Sequence, residues 1–236
     1  YDLSRYEIYK LNELPNDIKF ELSKNSNFKS LEKITLSKFP IDYSAYKKAF
    51  TSIQNHIKEG NSYLLNLTFK TKIDTSLSLD EIYKKAQALF KLKYKDEFVC
   101  FSPEKFIEIK KDKIYTYPMK GTIDAKVPNA QAKILRDTKE MAEHTMVVDL
   151  LRNDLSIVSS KVRVDKFRYC DKINAGEKEL LQISSKISGE LKKDWHKNIG
   201  DILTSLLPAG SITGTPKKKT VQILDEIENY KRDYYT

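Results

Sequence analysis

Thr138-Lys-Glu-Met-Ala-Glu-His-Thr-Met-Val-Val-Asp-Leu-Leu-Arg-Asn-Asp154 is the stretch on which the reading of this chain turns. As a helix, expected over 130–151, it places Glu140, Glu143, His144 and Val147 at i, i+3, i+4 and i+7, on one face. Two carboxylates and an imidazole sharing a face with a valine are costly to bury without compensation. A divalent cation is one compensation, because Mg2+ accepts a few carboxylates and completes its shell with water and substrate oxygens. A solvated acidic helix turn, with both glutamates facing water, is the other reading, and spacing alone leaves both open.

A second segment lies downstream, Leu207-Pro-Ala-Gly-Ser-Ile-Thr-Gly-Thr-Pro-Lys217. Its small residues let a backbone approach a ligand closely, and free N–H groups near a helix start suit an anion. Thr215 reads as the N-cap and Pro216 as the first residue of a helix over 216–229. It is not a phosphate-binding P-loop, since the Gly-x4-Gly-Lys-Ser/Thr pattern is absent. The alternative is an ordinary turn before a helix.

Elsewhere the periodicity predicts helices over 43–59, 79–91 and 197–206, the second opened by a Ser78-x-x-Glu81 capping box. Strands are expected at 62–71, 97–101, 105–110, 113–118 and 161–169. The pattern gives an α+β domain of 236 residues. Cys100 and Cys170 are the two cysteines, so no disulfide framework is implied and a reducing cytoplasmic setting fits. No export signal and no apolar run of membrane-spanning length is present in these residues. The net charge of +9 with 14 tyrosines raises a nucleic-acid-binding alternative. Basic residues are spread among acidic ones, however, and no helix-turn-helix, RNA-recognition or zinc-finger pattern occurs.

Taken together, the two segments resemble the chorismate-utilising enzymes: component I of anthranilate and aminodeoxychorismate synthases, with the isochorismate and salicylate synthases. The resemblance extends through Gly60-Asn-Ser-Tyr-Leu-Leu-Asn-Leu-Thr68, Ser102-Pro-Glu-Lys-Phe106, Arg152-Asn-Asp154, and Glu228 followed by Arg232-Asp-Tyr-Tyr235. Asn61 and Leu64 depart from the family's commoner Asp and Gln. Tyr117-Pro-Met-Lys-Gly-Thr122 corresponds to a Pro-Ile-x-Gly-Thr motif. There anthranilate synthases characteristically carry alanine and aminodeoxychorismate synthases lysine, so Lys120 points to the second branch. A surface lysine at a strand end is the alternative.

The resemblance implies two packed antiparallel sheets with helices outside, one catalytic domain over 1–236, and an active site between its halves. It implies a covalent route in which Lys120 attacks C2 of chorismate, the double bonds shift and the C4 hydroxyl leaves. Ammonia then adds at C4 and expels the lysine. Glu104 matches a glutamate proposed to protonate the departing hydroxyl, while Glu140 and Glu143 would hold Mg2+. Gly210, Ser211, Thr213, Gly214, His144, Gly121, Thr122, Arg232 and Tyr235 are implied as substrate contacts, with Asn66 and Thr68 in or behind the pocket. For His144 a structural role stands equally open. Ammonia would come from a glutamine amidotransferase partner, because no glutaminase signature is visible. The family continues beyond the segment that holds Thr236, with a second pair of Mg2+-binding glutamates. These residues alone are therefore expected to bind chorismate and Mg2+ poorly.

Overall fold

The structure is a computed structural model that describes residues 7–22, 34–86, 88–102, 104–175 and 178–235. In chain order its first elements are β1 (Ile18–Leu22), β2 (Leu36–Phe39), α1 (Tyr43–Lys58), β3 (Leu64–Leu65), β4 (Lys72–Thr75), α2 (Leu79–Lys85), β5 (Phe90–Tyr94) and β6 (Phe98–Ser102). There follow β7 (Glu108–Lys110), β8 (Lys113–Thr116), β9 (Met119–Asp124), α3 (Ala130–Arg136), α4 (Thr138–Val158), β10 (Ser160–Ala175) and β11 (Lys178–Glu190). The last are α5 (Ile199–Leu206), the single turn α6 (Gly210–Thr213), β12 (Gly214–Thr215) and α7 (Lys217–Ile227). This is the expected α+β class with antiparallel sheets.

Contacts divide the chain into two compact units, the first built from described residues within 1–46 and 69–104, the second from 47–68 and those after 104. In the first, β1, β5 and β6 form an antiparallel sheet in that order, and β2 pairs with β4. The capping box forms: Ser78 Oγ accepts from the Glu81 N–H and Glu81 returns the bond to the Ser78 N–H. The helix it opens ends at Lys85 rather than 91, because 90–94 alternate as a strand whose Lys91 and Lys93 are buried against Glu21, Asp80 and Asp96.

In the second unit β11 is central, bonded to β10 on one side and to both β8 and β9 on the other. Helix α4 lies on this sheet with Val147, Val148, Leu151 and Leu155 buried at helical spacing, against Ile114, Ile187, Leu191, Ile202 and Leu206. The helix expected over 130–151 is two helices. Asp137 leaves helical geometry, ends α3, and accepts the Glu140 N–H as N-cap of α4. The strand expected over 62–71 shrinks to Leu64–Leu65, which pairs with Gly214–Thr215. Pro216 stands at the cap of α7 with an extended backbone, so the helix starts one residue later than expected.

Candidate active site

Strand β9 carries Lys120, Gly121 and Thr122 past the start of α4. Its entry is fixed by Tyr117, whose hydroxyl donates to Glu108 Oε2 at 2.6 Å. That bond, with Lys110 and Lys105 beside it, holds the Glu108 carboxyl down at about 2. Gly121 has φ +83, and a Cβ there would stand 3.0 Å from Glu140 Oε2 and 3.5 Å from Ile134 Cδ1. Only glycine combines that backbone with so close an approach to the carboxylate. Glu140 and Glu143 are both half-buried, as is Lys120. Lys139 lies 3.5 Å from Glu143 as an exposed i,i+4 partner. Thr122 Oγ1 donates to Gln182 Oε1 across the β9–β11 ladder at 2.6 Å.

His144, on the same face, is fully enclosed. Its Nε2 lies 2.7 Å from Ser185 Oγ, which also accepts the Arg168 N–H, and the Phe167 ring meets it edge-on. Its Nδ1 has no hydrogen-bond partner among the described residues. Burial, then the cations Arg168 and Lys120, push its pKa down to about 4, so the ring is neutral at pH 7. A folded-state pKa below the unfolded value of 6.5 means stability that is complete above pH 6.5 and is lost as the pH falls toward 4. The shift corresponds to about 3 kcal/mol, and carboxylates such as Glu108 act only at lower pH. His144→Gln is expected to flatten urea-derived stability between pH 6.5 and 4; an unchanged slope in that window counts against this account.

The small-residue loop sits elsewhere on the same helix. Gly210 packs on Leu150 and Asp154, with a Cβ there only 2.9 Å from atoms of both. Asp154 pairs with Lys217 at 2.9 Å, and Lys217 reaches the Leu206 carbonyl, so the loop is closed at its ends. Thr213 Oγ1 donates to the Ala209 carbonyl. Asn66 donates from its backbone to the Thr213 carbonyl and from its side chain to the Ser211 carbonyl, at 3.0 and 2.7 Å.

Arg232 holds this region from below. Its Nε and Nη2 bind the two oxygens of Glu228 at 2.7 and 2.6 Å, and the Asn66 and Ile212 carbonyls accept from Nη2 and Nη1. Glu228 also accepts from the backbone and hydroxyl of Thr68, and Tyr230 bonds the same hydroxyl. Arg232 is thus taken up by internal partners, with side chains of Glu228 and Arg232 only 3% and 9% exposed. Glu228→Ala removes the carboxylate from this buried ion pair and is expected to cost about 3–5 kcal/mol. Chemical denaturation checks this, and a loss below about 1 kcal/mol would contradict it.

Gly121 therefore meets Glu140, and Lys120 lies within electrostatic reach of His144. The Gly210 contact lies at least ten residues further along α4 than Glu140, about 15 Å at the helical rise. Glu104 belongs to the other compact unit, where Ser102 Oγ bonds both its N–H and its carbonyl. Tyr235 closes the last 3-10 turn, and its side chain is outside what the structure describes. Among the described residues no three or more His, Cys, Asp or Glu side chains cluster as a metal site. Sequence reading missed Arg168, Ser185 and Gln182. Each acts through tertiary contacts that no short spacing reveals. No described helix is long and apolar enough to cross a membrane.

The sequence matches the family model described as chorismate binding enzyme over residues 4–236. An uncharacterized PabA-like protein of Pasteurella multocida is 51% identical over 201 residues, 85% of this chain and 62% of that protein. Aminodeoxychorismate synthase component 1 of Bacillus subtilis is 30% identical over 211 residues, 84% of this chain and 44% of that protein. The crystal structure of anthranilate synthase component I from Streptococcus pneumoniae superposes with a TM-score of 0.65 at 22% identity, covering 95% of this chain and 48% of that one. The chain thus spans less than two thirds of the length of these relatives.

Proposed function

The chain belongs to the chorismate binding enzymes, and from that premise we propose that it serves as component I of an aminodeoxychorismate synthase, converting chorismate and ammonia to 4-amino-4-deoxychorismate on the way to 4-aminobenzoate and folate. The observation that carries this reading is the placement of the Lys120–Gly121 strand against the Glu140 and His144 face of α4. The strand that carries this primary amine thereby meets a half-buried carboxylate at Gly121 and passes within electrostatic reach of a neutral imidazole, where a small anionic substrate can be held against a nucleophile.

In this reading Lys120 forms a C–N bond to C2 while the double bonds shift and the C4 oxygen takes up a proton and leaves as water. Ammonia then bonds C4, the double bonds shift back, and the lysine departs as the amine. Two allylic displacements replace one direct displacement at C4. Two half-buried carboxylates three residues apart on one helix face fit a hard cation that keeps its other positions for water and substrate. Mg2+ there would neutralise and orient the ring carboxylate. Gly121 leaves the space that lets strand and carboxylate approach, and the enclosed His144 excludes water from that corner. A glutamine amidotransferase would supply the ammonia, and the setting would be cytoplasmic.

The test is to incubate the full-length protein with chorismate, Mg2+ and an ammonium salt at mildly alkaline pH and to analyse products by mass spectrometry. A product with amino in place of hydroxyl, still bearing its enolpyruvyl group, is expected. Anthranilate with released pyruvate would assign the other branch, and unconsumed chorismate beside an active control enzyme would refute both.

A further inference from the structure

The geometry points to Arg168 as a positioning residue for the groups that flank the Lys120–Gly121 strand, an inference that rests on the proposed amination of chorismate. Arg168 lies in an irregular stretch of the β10–β11 ladder with φ +47, a left-handed backbone that a non-glycine residue adopts at a cost. From there it reaches in two directions. Its backbone N–H donates to Ser185 Oγ at 2.9 Å, and the same hydroxyl lies 2.7 Å from His144 Nε2. Its side chain donates from Nη1 and Nη2 to the carbonyls of Leu135 and Ile134, at 2.9 and 3.0 Å, in the last turn of α3. A cation bonded to those carbonyls is favourable, because a helix C-terminus exposes unpaired acceptors and negative partial charge.

The consequences meet on one strand. Ile134 and Glu140 are the side chains nearest Gly121, and Asp137 lies between them, closing α3 and capping the turn that carries Glu140. Arg168 therefore braces the carboxylate through the α3–α4 corner and the imidazole through Ser185. Every one of these groups is contacted through another, and none is a direct contact of Arg168 with Lys120. A misplacement of about 1 Å at reacting groups costs roughly a hundredfold in rate, so a two-sided brace of this kind bears on kcat more than on binding.

Arg168→Gly separates the two directions, since glycine accepts φ +47 and keeps the N–H to Ser185 while losing the carbonyl bonds. In the protein assayed for amination, kcat is expected to fall about thirtyfold with KM for chorismate changed less than about threefold, and Arg168→Lys should recover part of the loss. Independently of activity, amide hydrogen exchange at Glu140 and Met141, both bonded to Asp137, should accelerate at least about tenfold. Ser185→Ala provides the second variant and should lower kcat with those two amides still protected. Unchanged exchange in Arg168→Gly overturns the brace whatever the turnover. Faster exchange with kcat within threefold of wild type overturns its role in the reaction. A wild-type protein that leaves chorismate intact removes the proposed function and the kinetic half of this inference with it, while exchange still decides the brace.

Discussion

Lys120→Ala is expected to abolish formation of 4-amino-4-deoxychorismate, by roughly 10³-fold or more, with the folded structure retained. The size follows from the role proposed for the amine: removing a nucleophile forfeits the two-step route and leaves only binding and polarisation by the remaining groups. The fold should survive because the side chain is half-buried at the surface of β9, and shortening it leaves the β9–β11 ladder and the Gly121 approach to Glu140 in place. Loss of a nearby cation should also relax the downward shift of His144, which Lys120 contributes to after burial and Arg168. Mass spectrometric assay of the variant beside wild type decides the matter. Retention of more than about a tenth of the wild-type rate would mean that ammonia attacks without a lysine adduct. A second useful readout is a stoichiometric mass shift on Lys120 when chorismate is supplied without ammonia.

Gly214→Ala should unfold or severely destabilise the second unit. A Cβ at this position would stand 2.0 Å from the Leu64 carbonyl oxygen and 2.7 Å from Leu65 Cα, and both obstacles are backbone. The glycine has φ 135 and ψ −163, a region essentially closed to residues with a side chain. Relief would require breaking the β12–β3 pair, and with it the bonds that tie Tyr63 and Asn66 to Thr215 and Thr213. A cost of about 4–5 kcal/mol is expected, in the exceptional range for a single substitution. Gly60→Ala is the matched control: φ is +76, yet nothing lies within 4 Å of the added carbon, so about 1 kcal/mol should be lost. Thermal and urea denaturation of the pair should separate them clearly. Similar losses for both would show that the β12–β3 contact contributes little.

Much of the local structure was legible because its causes are local. The helix over 43–58 declared itself by apolar spacing and by Gly60 after its end, and the Ser78–Glu81 box by a four-residue pattern. The face shared by Glu140, Glu143 and His144 follows from helical periodicity alone. Strand β11 was not legible, since Ser184, Ser185 and Ser188 are buried in it beside Ile183 and Ile187. A central strand enclosed on both faces loses the alternation that marks a half-exposed one. The α3–α4 break was missed for the opposite reason: apolar spacing runs on past Asp137, and one capping side chain overrides it.

The site shows the same division. The sequence by itself determined the family, the class of fold, and the short motifs that carry Lys120, Gly121, Glu140, Glu143 and His144, because each depends on residue types at fixed spacing along the chain. Only the tertiary structure decided that Gly121 meets Glu140, that His144 is enclosed and neutral, and that Arg232 is taken up by Glu228 and two carbonyls. Those outcomes depend on distance and desolvation between residues far apart in sequence, and both arise only once strands pair and helices pack.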